Sequence, residues 1–292
     1  MVSVVRRVGL VLVAILAAGL VSSCGANSKV SPNSESDVTA SAPPGTEGYQ
    51  GGTQKISIDV NGITRTAVLV VPDDLSEPAP LLFAFHGHGG TGGALDRQLG
   101  FENLWPEAIV VYPDGQTGHP GINDPQGTET GWQTTKGEGG DADIAFYDAL
   151  LADLQSKLPV DPDRIYLMGH SNGSELVSLL RNERGDAVAA TANSSAQLTR
   201  WIPTDPVRSM FMSMGQTDTT APYAQQKKAI PVAATHLGVD AVTARTDGYL
   251  TTRTGPDGIE LAVYDHPGGH PPPPELPALL VAFFQRHTRP GD

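Results

Sequence analysis

The chain has 292 residues, 39% of them hydrophobic and 17% charged, with a formal net charge of −13 at pH 7. That acidity argues against nucleic acid as a partner. The single cysteine, Cys24, excludes an internal disulfide and offers no basis for a cysteine-ligated metal.

The N-terminus reads as a leader. Arg6 and Arg7 form a basic start, and residues 8–21 are an apolar run too short to span a bilayer comfortably. The run ends at Val21-Ser22-Ser23-Cys24, which resembles a bacterial lipobox and implies lipidation of Cys24. Residues 1–23 are therefore expected to be a lipoprotein signal peptide. Residues 24–50, rich in Ser, Pro, Gly, Asn and Thr, read as a flexible tether, because they hold too little apolar surface to fold. An exported protein follows, anchored to the outer face of the cell membrane by lipid or secreted. The remaining 51–292 are enough for one undivided α/β domain.

That domain opens with alternation over residues 55–60, an Asn61-Gly62 turn signal and a returning strand over 63–71, together a β-hairpin. Residues 80–85 and 108–112 are continuous apolar runs, the mark of strands buried on both faces. A short helix is expected between them, over 94–105. Residues 116–140 form a long polar, glycine-rich loop, and loops of this length usually have a task. Helical spacing returns over 142–158, with Asp141 or Asp143 available to cap it. Strands follow at 164–168, 187–192, 210–214 and 259–264, with helices after 173, around 225–237 and at 276–287. Alternating strands and helices after a hairpin indicate an α/β fold, a mostly parallel sheet with helices on both faces.

The strand at 164–168 ends in Gly169-His170-Ser171-Asn172-Gly173, a Gly-x-Ser-x-Gly turn leading into a helix. Such a turn strains the serine backbone and lifts its hydroxyl out of the sheet, beside a positive helix end. Ser171 is the candidate nucleophile. A serine needs a base, a group to orient that base, and donors for the developing oxyanion. Of eight histidines, His270 stands after the last strand on a Gly268-Gly269 bend, with His266 its nearest rival; His236 and His287 fall in helical patterns and read as surface residues. Asp218 lies on the loop after 210–214 and is preferred as the orienting acid over Asp205, Asp240 and Asp247. Oxyanion donors are expected from the backbone N–H of Asn172 and from the loop His86-Gly87-His88-Gly89-Gly90, with His88 favoured over Gly87 or Gly89. Alternate His86 and His88 also raise a metal reading, but no third ligand is near in sequence, and no metal is expected.

These motifs, together with Tyr112-Pro113-Asp114-Gly115, Asp161-Pro162-Asp163-Arg164 and Pro222-Tyr223, stand in the order found in the polyhydroxybutyrate depolymerase and feruloyl esterase family. The chain resembles the actinobacterial esterase lipoproteins of that family over residues 80–286. The resemblance implies an α/β-hydrolase fold and hydrolysis of carboxylic esters without a cofactor. It implies Ser171, Asp218 and His270 as the triad and Trp132 near the cleft; Gly87 and Trp132 are the expected substrate-contacting positions. The chain departs from the family where Pro271 to Pro274 follow the base in place of an aromatic. No polymer-binding domain is seen, so the expected substrates are small or oligomeric esters, and a monomer is expected. The triad chemistry leaves a peptidase or an acyltransferase open, and the tether leaves a non-catalytic surface binding protein open.

Overall fold

The computed structural model describes residues 48–198, 206–239 and 244–289. The expected leader, Cys24, most of the tether, Asp205 and Asp240 lie outside the described residues.

The N-terminal hairpin forms as its sequence directs. β1 (Gly52–Val60) and β2 (Ile63–Val71) pair antiparallel from Gly52↔Val71 to Val60↔Ile63. Asn61 and Gly62 both take positive φ, 55° and 80°, as a two-residue turn with matching right-handed twist requires. Next come β3 (Ala79–Phe85), β4 (Ile109–Pro113), β5 (Val160–His170), β6 (Ala190–Ser194), β7 (Ser209–Gly215) and β10 (Glu260–His266), with β8 (Arg245–Asp247) and β9 (Leu250–Thr254) before the last. The strands form one sheet in the order β1-β2-β4-β3-β5-β6-β7-β10-β9-β8. Its centre, from β4 to β10, is parallel; both flanks are antiparallel hairpins.

Alternation in the buried strands sorts the core into two layers. Phe83 and Phe85 of β3 and Leu167 of β5 pack with Ile144, Phe146, Leu150 and Leu154 of α3 (Ala142–Lys157) and with Leu176 and Leu180 of α4 (Asn172–Arg184). Leu82, Ala84 and Met168 point the other way. They meet Leu95 and Leu99 of α1 (Gly92–Leu99), Phe101 of α2 (Phe101–Leu104), and Leu280, Phe283 and Phe284 of α7 (Leu276–Phe284). Beside β7, Met210, Met212 and Met214 cover Ala229, Ala233 and Leu237 of α6 (Ala229–Leu237), which follows the short α5 (Tyr223–Gln226). Among the described residues no helix is long and apolar enough to cross a membrane.

Several expectations change in detail. The helix expected over 94–105 breaks into α1 and α2 at Gly100, whose left-handed φ of 51° closes the first helix through its N–H on Asp96. The helix expected over 225–237 likewise divides into α5 and α6. Asp141 stands before α3 but does not cap it; its carboxylate turns to the Gly137 N–H and to Gln133. His287 is buried, not exposed, and its Nδ1 meets the Phe283 carbonyl. The hairpin β8–β9 was not anticipated, because its residues are polar and β8 is exposed on the sheet edge.

Parallel strands gather their C-terminal ends on one edge of the sheet. The order also reverses between β3 and β5, where chain connections leave in opposite directions, and α/β sheets bind ligands at such a point. Ser171 follows β5 there.

Candidate active site

The turn from β5 into α4 places Ser171. Its φ of 53° and ψ of −122° are a strained pairing for a side-chain-bearing residue. The Ser171 N–H is held by the Ser194 carbonyl at 2.8 Å. The flanking glycines are required by contact: a Cβ on Gly169 would lie 2.2 Å from the Gly173 carbonyl oxygen, and one on Gly173 would lie 2.4 Å from that of Phe85. The hydroxyl thus stands at the first turn of a 13-residue helix, at its positive end.

Asp218 and His270 come from loops following β7 and β10, which are neighbours in the sheet. The two loops are in close contact, and a Cβ on Gly215 would reach within 2.1 Å of the Gly269 carbonyl oxygen. Asp218 is 4% exposed. Its Oδ1 accepts the N–H groups of Thr220 and Ala221, at 2.9 and 3.0 Å, and its Oδ2 accepts Gln226 Nε2 at 2.8 Å. His270 Nδ1 meets the same Oδ2 at 2.8 Å. That contact assigns the proton to Nδ1 and leaves Nε2 as the ring's basic nitrogen. The ring's backbone is fixed as well, since Ser195 Oγ donates to the His270 carbonyl at 2.8 Å. Behind it lies His170, with ring centroids 5.0 Å apart. Burial, and then the neighbouring His270, push the His170 imidazole down to about 3, so it stays neutral.

The rival residues stand elsewhere. His266 is buried, stacks on Tyr264 and accepts the Gly268 N–H, shaping the bend that carries His270. Asp247 lies on the exposed edge strand β8, beside a groove that shares no residue with the Ser171 cleft.

His86 and His88 have separate tasks. His86 Nδ1 donates to the Gly87 carbonyl at 2.7 Å while Nε2 accepts the Gly115 N–H at 2.9 Å, which fixes a neutral tautomer. Burial lowers its pKa further. His88 Nε2 instead meets Asp124 Oδ2 at 3.1 Å. In the same loop the Gly89 N–H is taken by the Thr130 carbonyl and the Gly90 N–H by that of Gly87. Among the described residues no acceptor takes the N–H of His88 or of Asn172. Gly87 lies against Ser171, and a Cβ there would sit 3.2 Å from Ser171 Cβ.

Trp132 differs from its expected place. It is 1% exposed, beneath the cleft and not in its wall. Its indole N–H donates to the His86 carbonyl at 2.8 Å, and its ring packs edge-on against Phe85. The Asn172 side chain brackets its backbone, accepting the Trp132 N–H at 2.8 Å and donating to its carbonyl at 3.1 Å. Trp132 therefore ties the glycine-rich loop to the start of α4.

A cleft of about 490 Å³ and an adjoining recess of about 240 Å³ open above these loops, and Ser171, His88, Gly89 and His270 border both. Among the described residues no hydrogen bond joins the Ser171 hydroxyl to His270; the two share the opening. The supporting residues Ser195, Gln226 and Asp124 had no motif to mark them, since each reaches the site only through tertiary contacts.

The strand order, the serine elbow after β5 and the Asp–His pair after β7 and β10 are those of the α/β-hydrolase fold. No protein-family profile matches the chain. It is 27% identical over 158 residues to a protein named as an esterase, NocK, of Nocardia uniformis subsp. tsuyamanensis, which covers 51% of this chain and 43% of that one. It is 30% identical over 123 residues to a protein named feruloyl esterase C of Aspergillus niger, covering 39% of each. The matches thus span less than half the length of either curated relative. Similar solved structures include an acetyl xylan esterase from Aspergillus awamori, with a TM-score of 0.58 at 15% identity over 75% of this chain and 94% of that one. A ferulic acid esterase from Anaeromyces mucronatus gives 0.57 at 14% identity over 84% and 96%. The fold is therefore that of the α/β-hydrolases, and the feruloyl esterase resemblance carried by the motifs recurs among the relatives.

Proposed function

We propose that the chain is a serine esterase that hydrolyses carboxylic esters through an acyl-enzyme. The observation that carries this reading is a strained Ser171 at the N-terminus of α4, sharing one cleft with a histidine whose Nδ1 is held by a buried carboxylate. Ser171 Oγ attacks the ester carbonyl as His270 Nε2 takes its proton. Asp218 keeps the imidazole oriented and stabilises its charged form, and the N–H groups of Asn172 and His88 receive the oxyanion. The proton passes to the departing alcohol. Water, deprotonated by His270, then attacks the acyl-serine and releases the acid. The Ser171–His270 hydrogen bond closes as substrate enters, a tightening common at such sites.

The esterase names of the relatives support ester substrates over amides. The feruloyl esterase among the relatives keeps cinnamoyl esters beside short-chain and hydroxyalkanoate esters as candidate substrates. In the same reading Cys24 carries the lipid anchor, and the tether ends before Tyr49 and not at residue 50, because Tyr49 is buried in the domain core and its hydroxyl donates to Asp153.

The test is Ser171→Ala on p-nitrophenyl acetate, with a fluorophosphonate probe alongside. We expect kcat/KM to fall by roughly 10⁴-fold or more and labelling to vanish. Undiminished turnover by the variant would end the proposal.

A further inference from the structure

We propose that Asp124 is a positioning residue for this reaction, acting through the His88 side chain to hold the oxyanion-binding N–H of His88 in place. The inference rests on the esterase reading of the site.

Residues 86–90 contain three glycines, and such a loop keeps little backbone order unless its surroundings impose it. Oxyanion donors work when they are already aimed at the developing charge. The order here comes from the long loop after β4. His88 Nε2 donates to Asp124 Oδ2 at 3.1 Å, and among the described residues its buried Nδ1 has no partner, so the ring's polar tether there is Asp124 alone. The ring sits in a slot between two glycines. A Cβ on Gly121 would lie 2.7 Å from its Nε2, and one on Gly131 would lie 2.6 Å from its Nδ1.

Asp124 is itself anchored. Oδ1 accepts Thr128 Oγ1 at 2.9 Å, and Oδ2 accepts the Glu129 N–H at 2.8 Å. These bonds, the Glu129 backbone first, hold its carboxyl below the usual range, so it stays ionised. Reciprocal bonds between the Gly121 and Asp124 backbones close the tip of the loop. The same segment grips the two residues after His88, because the Gly89 N–H goes to the Thr130 carbonyl and Thr130 Oγ1 donates to the Gly90 carbonyl. Two residues beyond, Trp132 is bracketed by the Asn172 side chain. One hydrogen-bonded segment, 124–132, thus reaches the residues that carry both proposed donors.

The experiment compares the full-length wild-type protein with its Asp124→Asn and Gly121→Ala variants. The first weakens the tether; the second leaves the carboxylate and crowds the ring. On p-nitrophenyl acetate we expect kcat to fall roughly ten- to a hundredfold in each, as for a misplaced oxyanion donor, with KM changed less than about threefold. Affinity for phenylboronic acid, which forms a tetrahedral adduct with the serine, should fall by the same factor. Asp124→Asn should add nothing in a His88→Gln background, since the two act in series. A loss of thermal stability with unchanged kcat and boronate affinity would assign Asp124 a structural role only and overturn the inference. If Asp124→Asn fails to fold, Gly121→Ala decides by the same readouts. A wild-type protein that neither hydrolyses esters nor reacts with a fluorophosphonate removes the esterase reading and this inference together. Active wild type with equally active variants removes this inference alone.

Discussion

At Ser171, the proposed nucleophile, fold and chemistry are at odds. Its φ of 53° with ψ of −122° costs on the order of 1–3 kcal/mol in a residue bearing a Cβ. Glycine adopts that backbone freely but gives back up to about 1 kcal/mol through the looser unfolded chain. Ser171→Gly is therefore expected to stabilise the domain by about 1 kcal/mol while abolishing turnover, whereas Ser171→Ala keeps the strain and loses only activity. Urea unfolding of the two inactive variants measures the difference, and equal midpoints would mean that the strain is absent in solution. At Asp218 the carboxylate assigns the His270 tautomer through a 2.8 Å contact. Asp218→Asn would retain the shape and offer an N–H where an acceptor is needed, so kcat is expected to drop by about 10⁴-fold. A loss under tenfold would exclude Asp218 as the orienting acid. The proposed triad of Ser171, Asp218 and His270 has local signatures in the chain, a glycine-flanked turn or a loop after an apolar strand. Ser195 has no such signature, since its hydroxyl supports His270 from 75 positions away in the chain.

At the scale of elements, legibility followed apolar continuity. β3 and β4 are buried along their whole length and were plain in the sequence, as was the Asn61-Gly62 hairpin. β8 and β9 were invisible because an edge hairpin facing solvent needs no apolar pattern, only a partner strand, and β10 provides it. Trp132 was expected to contact substrate because position near the site says nothing of direction; its indole N–H found an acceptor inward, at His86. α3 starts at Ala142 as expected, but its capping differs for a related reason. Asp143 does not serve as a cap; it is wholly buried in an ion pair with Arg65 at 2.8 Å, joining α3 to β2, and it also accepts the Gln133 N–H at 2.7 Å. Arg65 lies over the Phe146 ring, 4.1 Å from its centroid. Removing one partner of such a pair strands a buried charge, so Asp143→Ala is expected to cost about 3–5 kcal/mol. Denaturant unfolding would show it, and a cost under about 1 kcal/mol would mean that water enters to solvate Arg65.

The whole molecule carries two opposing responses to acid. Its net charge of −13 at pH 7 shrinks toward zero near the sequence pI of about 4.9, which relieves self-repulsion and favours folding as pH falls. Buried histidines act the other way. Burial is the leading cause that lowers the pKa of His86, His170, His266 and His287, with His170 at about 3. For each, the unfolded chain binds a proton near the ordinary value of 6.5 while the folded chain does not until lower pH. Protons bound in the unfolded state therefore exceed those in the folded state, and stability falls as pH drops below 6.5, by up to about 1.4 kcal/mol per pH unit and group. For His170 the loss continues down to about pH 3. The repulsion acts between exposed charges and is screened within about 8 Å at 0.15 M salt, whereas the histidine effect is internal and survives screening. The histidines should win at moderate salt. Urea unfolding at 0.3 M NaCl is expected to show stability declining steadily from pH 7 to 5, and less steeply in His170→Gln, which removes one of the protons taken up. A flat or rising profile over that interval would mean that these imidazoles titrate in the folded protein much as they do in the unfolded chain.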